Sequence, residues 1–513
     1  MTWDYERSKE RVEKEWKRLQ EAEINVEPLT REMDLSNLSP TEARLVHGVH
    51  LYADILNFGD ILDESLMCRD DYKRLYRYLH VMRVELRRII QSVFDGDKIQ
   101  VQGSKFHGLL FKPYGDDEEM AWISVLAGLA FYLALSEALP EVFPDYPEVV
   151  PALGLELGDT IVANIGIRGD RELISVGSAA NHAAKIIGKA NTISIGEKLY
   201  SCLSDDHKSL FTAVGGVYQL DCDDLEDAEQ IIQDEGFDWS VDGSLKNMQE
   251  VMASVPLADI TIEEAREKID LERLGPKHAK VCYGASVFID IDGYTKLVDS
   301  LMGNLDELGK VVQLLHLFRY ELRQVTESDF DGITVQHQGD RLQALLQVPA
   351  GEDEKIKDKA VDICISCNSS VEEVLNRGPA ALRKLYVAIG CDFGKALVGR
   401  LGIRGDLDAT CVGDATLAAE DIQLRMKGNE IGIDPDVYEA IKDEAVKERF
   451  EYDKDNEIYV AKDLTWISLE QVERAVAYGG SSKAAYTGSG VIVVGNRARE
   501  SDRPLKVTKP WAE

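Results

Sequence analysis

"FIDIDGYT", residues 288–295, sets Asp290 and Asp292 into an apolar run that Gly293 closes. Phe288 and Ile289 read as strand. A carboxylate in a buried strand is costly unless a cation or hydrogen bonds compensate it, so the two acids ask for a reason. Far upstream, "YADILNFG" (52–59) looks like a worn copy of the same stretch. A shift of 236 residues lays Asp54 on Asp290 and Leu79, His80, Arg83, Glu85, Leu86 and Arg87 on Leu315, His316, Arg319, Glu321, Leu322 and Arg323. It also lays "FDG" (94–96) on "FDG" (330–332), Gln100 and Gly103 on Gln336 and Gly339, and "GIRGD" (166–170) on "GIRGD" (402–406). One offset with no gap between anchors predicts two copies of one domain, 1–236 and 237–472, each led by a helical segment, and a C-terminal tail, 473–513. "YGGSSKAAYTGSG" (478–490) reads as a flexible linker in that tail.

Each copy reads as strand, long helix, two strands, helix and strand, the ferredoxin-like order. The expected fold class is therefore α/β (α+β), two tandem ferredoxin-like domains. At 513 residues, 44% hydrophobic and 29% charged, the chain can bury sizeable cores. A net charge of -34 argues against nucleic acid or an anionic membrane as partner, so a polyanionic ligand needs a local cationic pocket. Only Cys364 and Cys367 among the eight cysteines form a C-x-x-C, which reads as two thiols on a helix in a reducing compartment. The charged N-terminus "MTWDYERSKERVEKEW" does not read as a signal peptide, and a cytoplasmic protein is expected. "MAWISVLAGLAFYLALS" (120–136) is marginal for a membrane span. Its counterpart "IKDKAVDICISCNSSVE" (356–372) is too polar for one, so a packed helix is expected in both copies.

Asp290 ends one strand, and Asp340 follows Gly339 in "QHQGDRLQALL" (336–346), where a hairpin would turn. In a ferredoxin-like sheet those strands can be neighbours. Two carboxylates with a backbone carbonyl suit Mg²⁺ or Mn²⁺ on a nucleoside triphosphate.

"FIDIDGYT" with "GDRLQALL", "GCDFGKALVGRLGIRGD" (390–406) and "CVGDATLAAEDI" (411–422) resembles the class III nucleotide cyclases, the adenylate and guanylate cyclase fold. The resemblance covers most of both copies and implies a pseudo-twofold intramolecular dimer whose site forms between the domains. It implies two divalent cations on Asp290, Asp340 and the Ile291 carbonyl, with Arg404 on the phosphates. In copy two, Leu417 and Asp421 stand where the family has its Asn and Arg. Copy one is the reverse. Ser104 replaces the second Asp beside Asp54, while "VGSAANHAAKI" (176–186) offers Asn181 and Lys185, four residues apart on one helix face. The losses are complementary, so one working site is expected. Asn181 would orient the ribose, and Lys185 would offset charge on the α-phosphoryl oxygens in place of the family's Arg. The family's second phosphate-binding Lys has no match; Lys208 is only nearby.

The family's base-reading positions hold Gln100 and Ile174, neither purine code, and Tyr52 takes the place of a base-pocket Phe. Gln offers a donor and an acceptor for a pyrimidine edge. "RLVHGVHLYADILNF" (44–58) is similar to the pyrimidine cyclases of the Pycsar antiphage system. That resemblance implies cyclic UMP or cyclic CMP as a signal read by a separate effector protein. A purine cyclase with relaxed selectivity and a degenerate nucleotide-binding sensor are the alternatives.

Overall fold

The structure, a computed structural model, describes residues 2–477 apart from positions 23, 32, 34, 36, 37, 40, 66–68, 168, 169, 226 and 379–383. The linker sequence 478–490 lies outside the described residues.

Two similar sheets form. In copy two the strand order is Ile333–Gln338, Arg341–Leu346, His278–Asp292, Tyr386–Ile403, Glu430–Ile433, Ile458–Lys462 and Phe450–Asp453. The first four are the ferredoxin-like set, all antiparallel. Copy one repeats the order with Asp97–Gln102, Lys105–Leu110, Glu42–Ile55, Pro151–Ile167, Thr192–Ile195, Val217–Asp221 and Thr212–Val214.

Alternation along the central strand decides what faces the site. Val287, Ile289 and Ile291 are buried in one core with Leu308, Val311 and Leu315 of helix Leu305–Gln324. The intervening residues face the other way: Ser286 lies 3.0 Å from Thr416 of helix Asp414–Arg425. The period of two therefore points Phe288 and Asp290 to the helix Asp414–Arg425 side.

The leading helices are exchanged between copies. Helix Tyr5–Glu21 is capped by Asp4 and buries Val12, Trp16 and Leu19 on one stripe. It packs on helix Leu305–Gln324 of copy two. There Ser8 and Arg11 each donate to the buried Glu321 at 2.6 Å. Its counterpart, Val241–Ser254, packs on Arg69–Arg88 of copy one, with Ser244 donating to the buried Glu85 at 2.6 Å.

One helical run among the described residues, Asp117–Val142, is long and apolar enough to cross a membrane, but 83% of its apolar window is buried inside the protein. It serves as a core helix, as its polar counterpart in copy two implied. Cys364 and Cys367 lie buried and free on helix Asp353–Ser369.

Candidate active site

Asp290 lies directly opposite Arg341, the first residue of its neighbouring strand, and Asp340 stands in the two-residue turn just before. Gly339 takes φ +57 there, a left-handed conformation that suits a tight hairpin. The sheet thus brings the two predicted carboxylates to one corner. Desolvation pushes the Asp290 carboxyl up to about 6, against the pull of Arg341. Desolvation and the nearby Asp290 push the Asp340 carboxyl well above its ordinary range. Two desolvated carboxyls, Asp340 raised further by Asp290 and Asp290 by Asp292, offer hard oxygens that suit a divalent cation. The Ile291 carbonyl belongs to the same strand end. Among the described residues no group of three or more His, Cys, Asp or Glu side chains is set for a metal. The fit therefore rests on the two carboxylates, that carbonyl and a ligand's own oxygens.

Copy one meets this corner through helix Ser178–Lys185. Asn181 Nδ2 donates to Thr295 Oγ1 of copy two at 3.0 Å, and Asp299 of copy two accepts from the Ser178 backbone N–H at 3.0 Å. Thr295 and Asp299 lie on the short helix that follows "FIDIDG". Lys185, exposed at its end, is one turn further along. Desolvation lowers its ammonium; Asp290 and Asp340 raise it, and Lys296 lowers it. Lys185 therefore feels both carboxylates of the other copy.

Tyr52 also reaches across: burial, then the charge of Asp340, keeps its phenol protonated. Tyr52, His107 and Gln100 sit directly opposite one another on three adjacent strands, so they share one face. Gln100 Nε2 donates to the His337 carbonyl of copy two. Ile174, 2% exposed, is packed in the core that both copies share.

Arg404 is the exception. It is exposed at the tip of the hairpin between Tyr386–Ile403 and Asp406–Val412, and has no partner among the described residues. Behind the tip, Asp406 accepts from Arg87 and Lys98 of copy one, each at 2.7 Å. Gly402 and Ile403 line a 590 Å³ cavity with His80, Val84 and Val251, away from both carboxylates. Lys208 lies over the Tyr200 ring, 5.9 Å from its centroid, rather than at the site.

The mirror-related corner is closed. Ser104 donates to Asp54 at 2.7 Å, and Lys105 pairs with Glu420 of copy two at 2.8 Å. Glu420 also meets Arg341 at 3.0 Å. Leu417 packs against the core of copy one, and Asp421 pairs with Arg425 on the same helix. Sequence reasoning missed Lys296, Thr295, Arg341 and His107. Thr295 ends the motif and Lys296 follows it, where only the turn into a helix signals them. Arg341 sits inside "GDRLQALL" but was given no role there, and His107 lies in no motif; strand register reveals both.

No family model matches the chain. It is 28% identical over 520 residues to a uridylate cyclase of Pseudomonas aeruginosa, covering 96% of each. It is 24% identical over 431 residues to a uridylate cyclase of a Rhizobium species, covering 78% of this chain and 79% of that one. Its fold superposes with TM-score 0.78, at 25% identity, on a class III adenylyl cyclase-like ATP-binding protein from Pseudomonas aeruginosa, covering 91% of this chain and 98% of that one. With two ferredoxin-like sheets, an acidic corner on one and an Asn–Lys helix on the other, this chain has the fold of the class III cyclase-like protein it superposes on, with both domains in one polypeptide.

Proposed function

We propose that the chain cyclises UTP to 3′,5′-cyclic UMP and pyrophosphate at one composite site. The observation that carries this is the docking of helix Ser178–Lys185 of copy one, through Asn181 and Ser178, on the short helix that follows Asp290 in copy two, with Lys185 in the field of Asp290 and Asp340, while Asp54 is spent on Ser104. The 3′-hydroxyl loses its proton, its oxygen bonds to the α-phosphorus, and the bond from that phosphorus to the β-phosphate bridging oxygen breaks. Asp290, Asp340 and the Ile291 carbonyl would hold two divalent cations, Mg²⁺ or Mn²⁺. When bound, these would supply acidity at the 3′-hydroxyl and neutralise the phosphates. Asn181 orients the ribose, and Lys185 offsets charge developing on the α-phosphoryl oxygens. The assignment of Arg404 to the phosphates rests on its motif alone.

Base choice follows from Gln100, Tyr52 and Ile174. A carbonyl only accepts, so the His337 carbonyl fixes Nε2 of Gln100 toward itself. Oε1 then accepts from N3–H of uracil, and the second amide hydrogen donates to O4. Cytosine has no hydrogen on N3 and would need the amide reversed. Buried Ile174 offers a purine no polar partner. The two curated relatives named uridylate cyclases point the same way. The resemblance to the Pycsar cyclases extends the proposal to a cytoplasmic antiphage signal read by a separate effector protein.

The test is incubation with equimolar UTP, CTP, ATP and GTP and Mn²⁺, with mass spectrometry of the products. Cyclic UMP should dominate. Cyclic AMP as the main product would instead favour a purine cyclase, the reading that fits the ATP-binding neighbour.

A further inference from the structure

Tyr52 does not stand alone. Its ring stacks on His107 with centroids 4.0 Å apart and planes 14° from parallel. His107 is in turn 2.9 Å from His50, between Nε2 and Nδ1. His50 is fully buried and His107 is 5% exposed. The strand register makes Tyr52, His107 and Gln100 one row, with His50 next to Tyr52 on the same face. Burial holds His50 neutral, its imidazolium pushed down to about 3, so the pair is joined by one hydrogen bond rather than split by like charges.

Copy two shows what the row looks like without this device. The matching positions are Phe288, Gln343 and Gln336, with Ser286 in place of His50. Ser286 bonds Thr416 instead, and Arg341 covers Phe288 at 4.7 Å. The ring stack belongs only to the copy whose row carries the base-reading positions.

A lone tyrosine can turn about two side-chain bonds and make room for a larger base. A ring stacked on it, and itself tied to a buried partner, removes that freedom. Resting on the pyrimidine reading above, we infer that His107 is a positioning residue that locks Tyr52 as the wall excluding purines, with His50 as its anchor.

The experiment measures kcat/KM for UTP and ATP, in competition, for the wild-type chain, His107→Gln, His107→Phe and His50→Ser. Thermal melts confirm that each variant is folded. His107→Gln, which keeps a side chain of similar length but no ring, should lower the UTP-to-ATP ratio by about tenfold or more. His107→Phe keeps a stacking ring and should retain most of the ratio; His50→Ser should shift it the same way as His107→Gln, but less. A folded His107→Gln with the wild-type ratio overturns the inference, even if its rate on every nucleotide falls equally. So does a His107→Phe that loses as much selectivity as His107→Gln. A wild-type chain with no preference for UTP overturns the pyrimidine reading itself, which is a separate result.

Discussion

Asn181 and Lys185 are four residues apart on a helix whose first turn is tied to copy two through Ser178 and Asp299. Their aim is therefore set by the other copy's short helix, and a change there should matter as much as a change in either side chain. Asn181→Ala and Lys185→Ala should each lower kcat by about 10² to 10³, with a smaller rise in KM, as for loss of one donor to a transition state. Lys185→Arg should keep activity or raise it, because a planar fork meets phosphoryl oxygens more rigidly than a point charge. Steady-state kinetics on the three variants decide this. Alanine variants with wild-type kcat would remove this helix from the chemistry.

At the scale of elements, exchanged helices and ion-pair clusters, among them Lys105–Glu420–Arg341 and Arg87–Asp406–Lys98, hold the copies together. Arg11 pairs with fully buried Glu321, so Arg11→Ala strands a carboxylate in the core and should cost about 3 kcal/mol. A denaturant titration reads this directly. Glu420 is held between Lys105 and Arg341. Burial by itself would raise its carboxyl, but those two cations outweigh it and bring it down from 4.5 to about 2. Because the folded state binds that proton less readily than the unfolded chain, the cluster stabilises above pH 4.5 and its contribution disappears as pH falls toward 2. The difference is about 3 kcal/mol. Glu420→Gln should flatten that part of the stability–pH curve, and an unchanged slope would contradict it. The duplication and strand order were legible in the sequence, because a constant offset and alternating burial are local patterns. The helix exchange was not, since Tyr5–Glu21 shows only that it has an apolar stripe, not which copy the stripe faces. The pairing of Asp290 with Asp340 was legible from the hairpin signal at Gly339. The Tyr52–His107–His50 stack was not, because cross-strand neighbours depend on register.

Across the whole molecule, the proposal is that duplication followed by complementary loss turned two equivalent corners into one working site and one closed one. Copy two keeps Asp290 and Asp340, while copy one keeps Asn181 and Lys185; the residues lost from each are replaced by structural contacts such as Ser104 to Asp54 and Lys105 to Glu420. The most direct measurement compares cyclic nucleotide formation from UTP by Asp290→Ala and by Asp54→Ala, each shown by its melting curve to be folded. Asp290→Ala should be inactive while Asp54→Ala keeps most of the wild-type rate; equal losses from the two substitutions would contradict a single composite site.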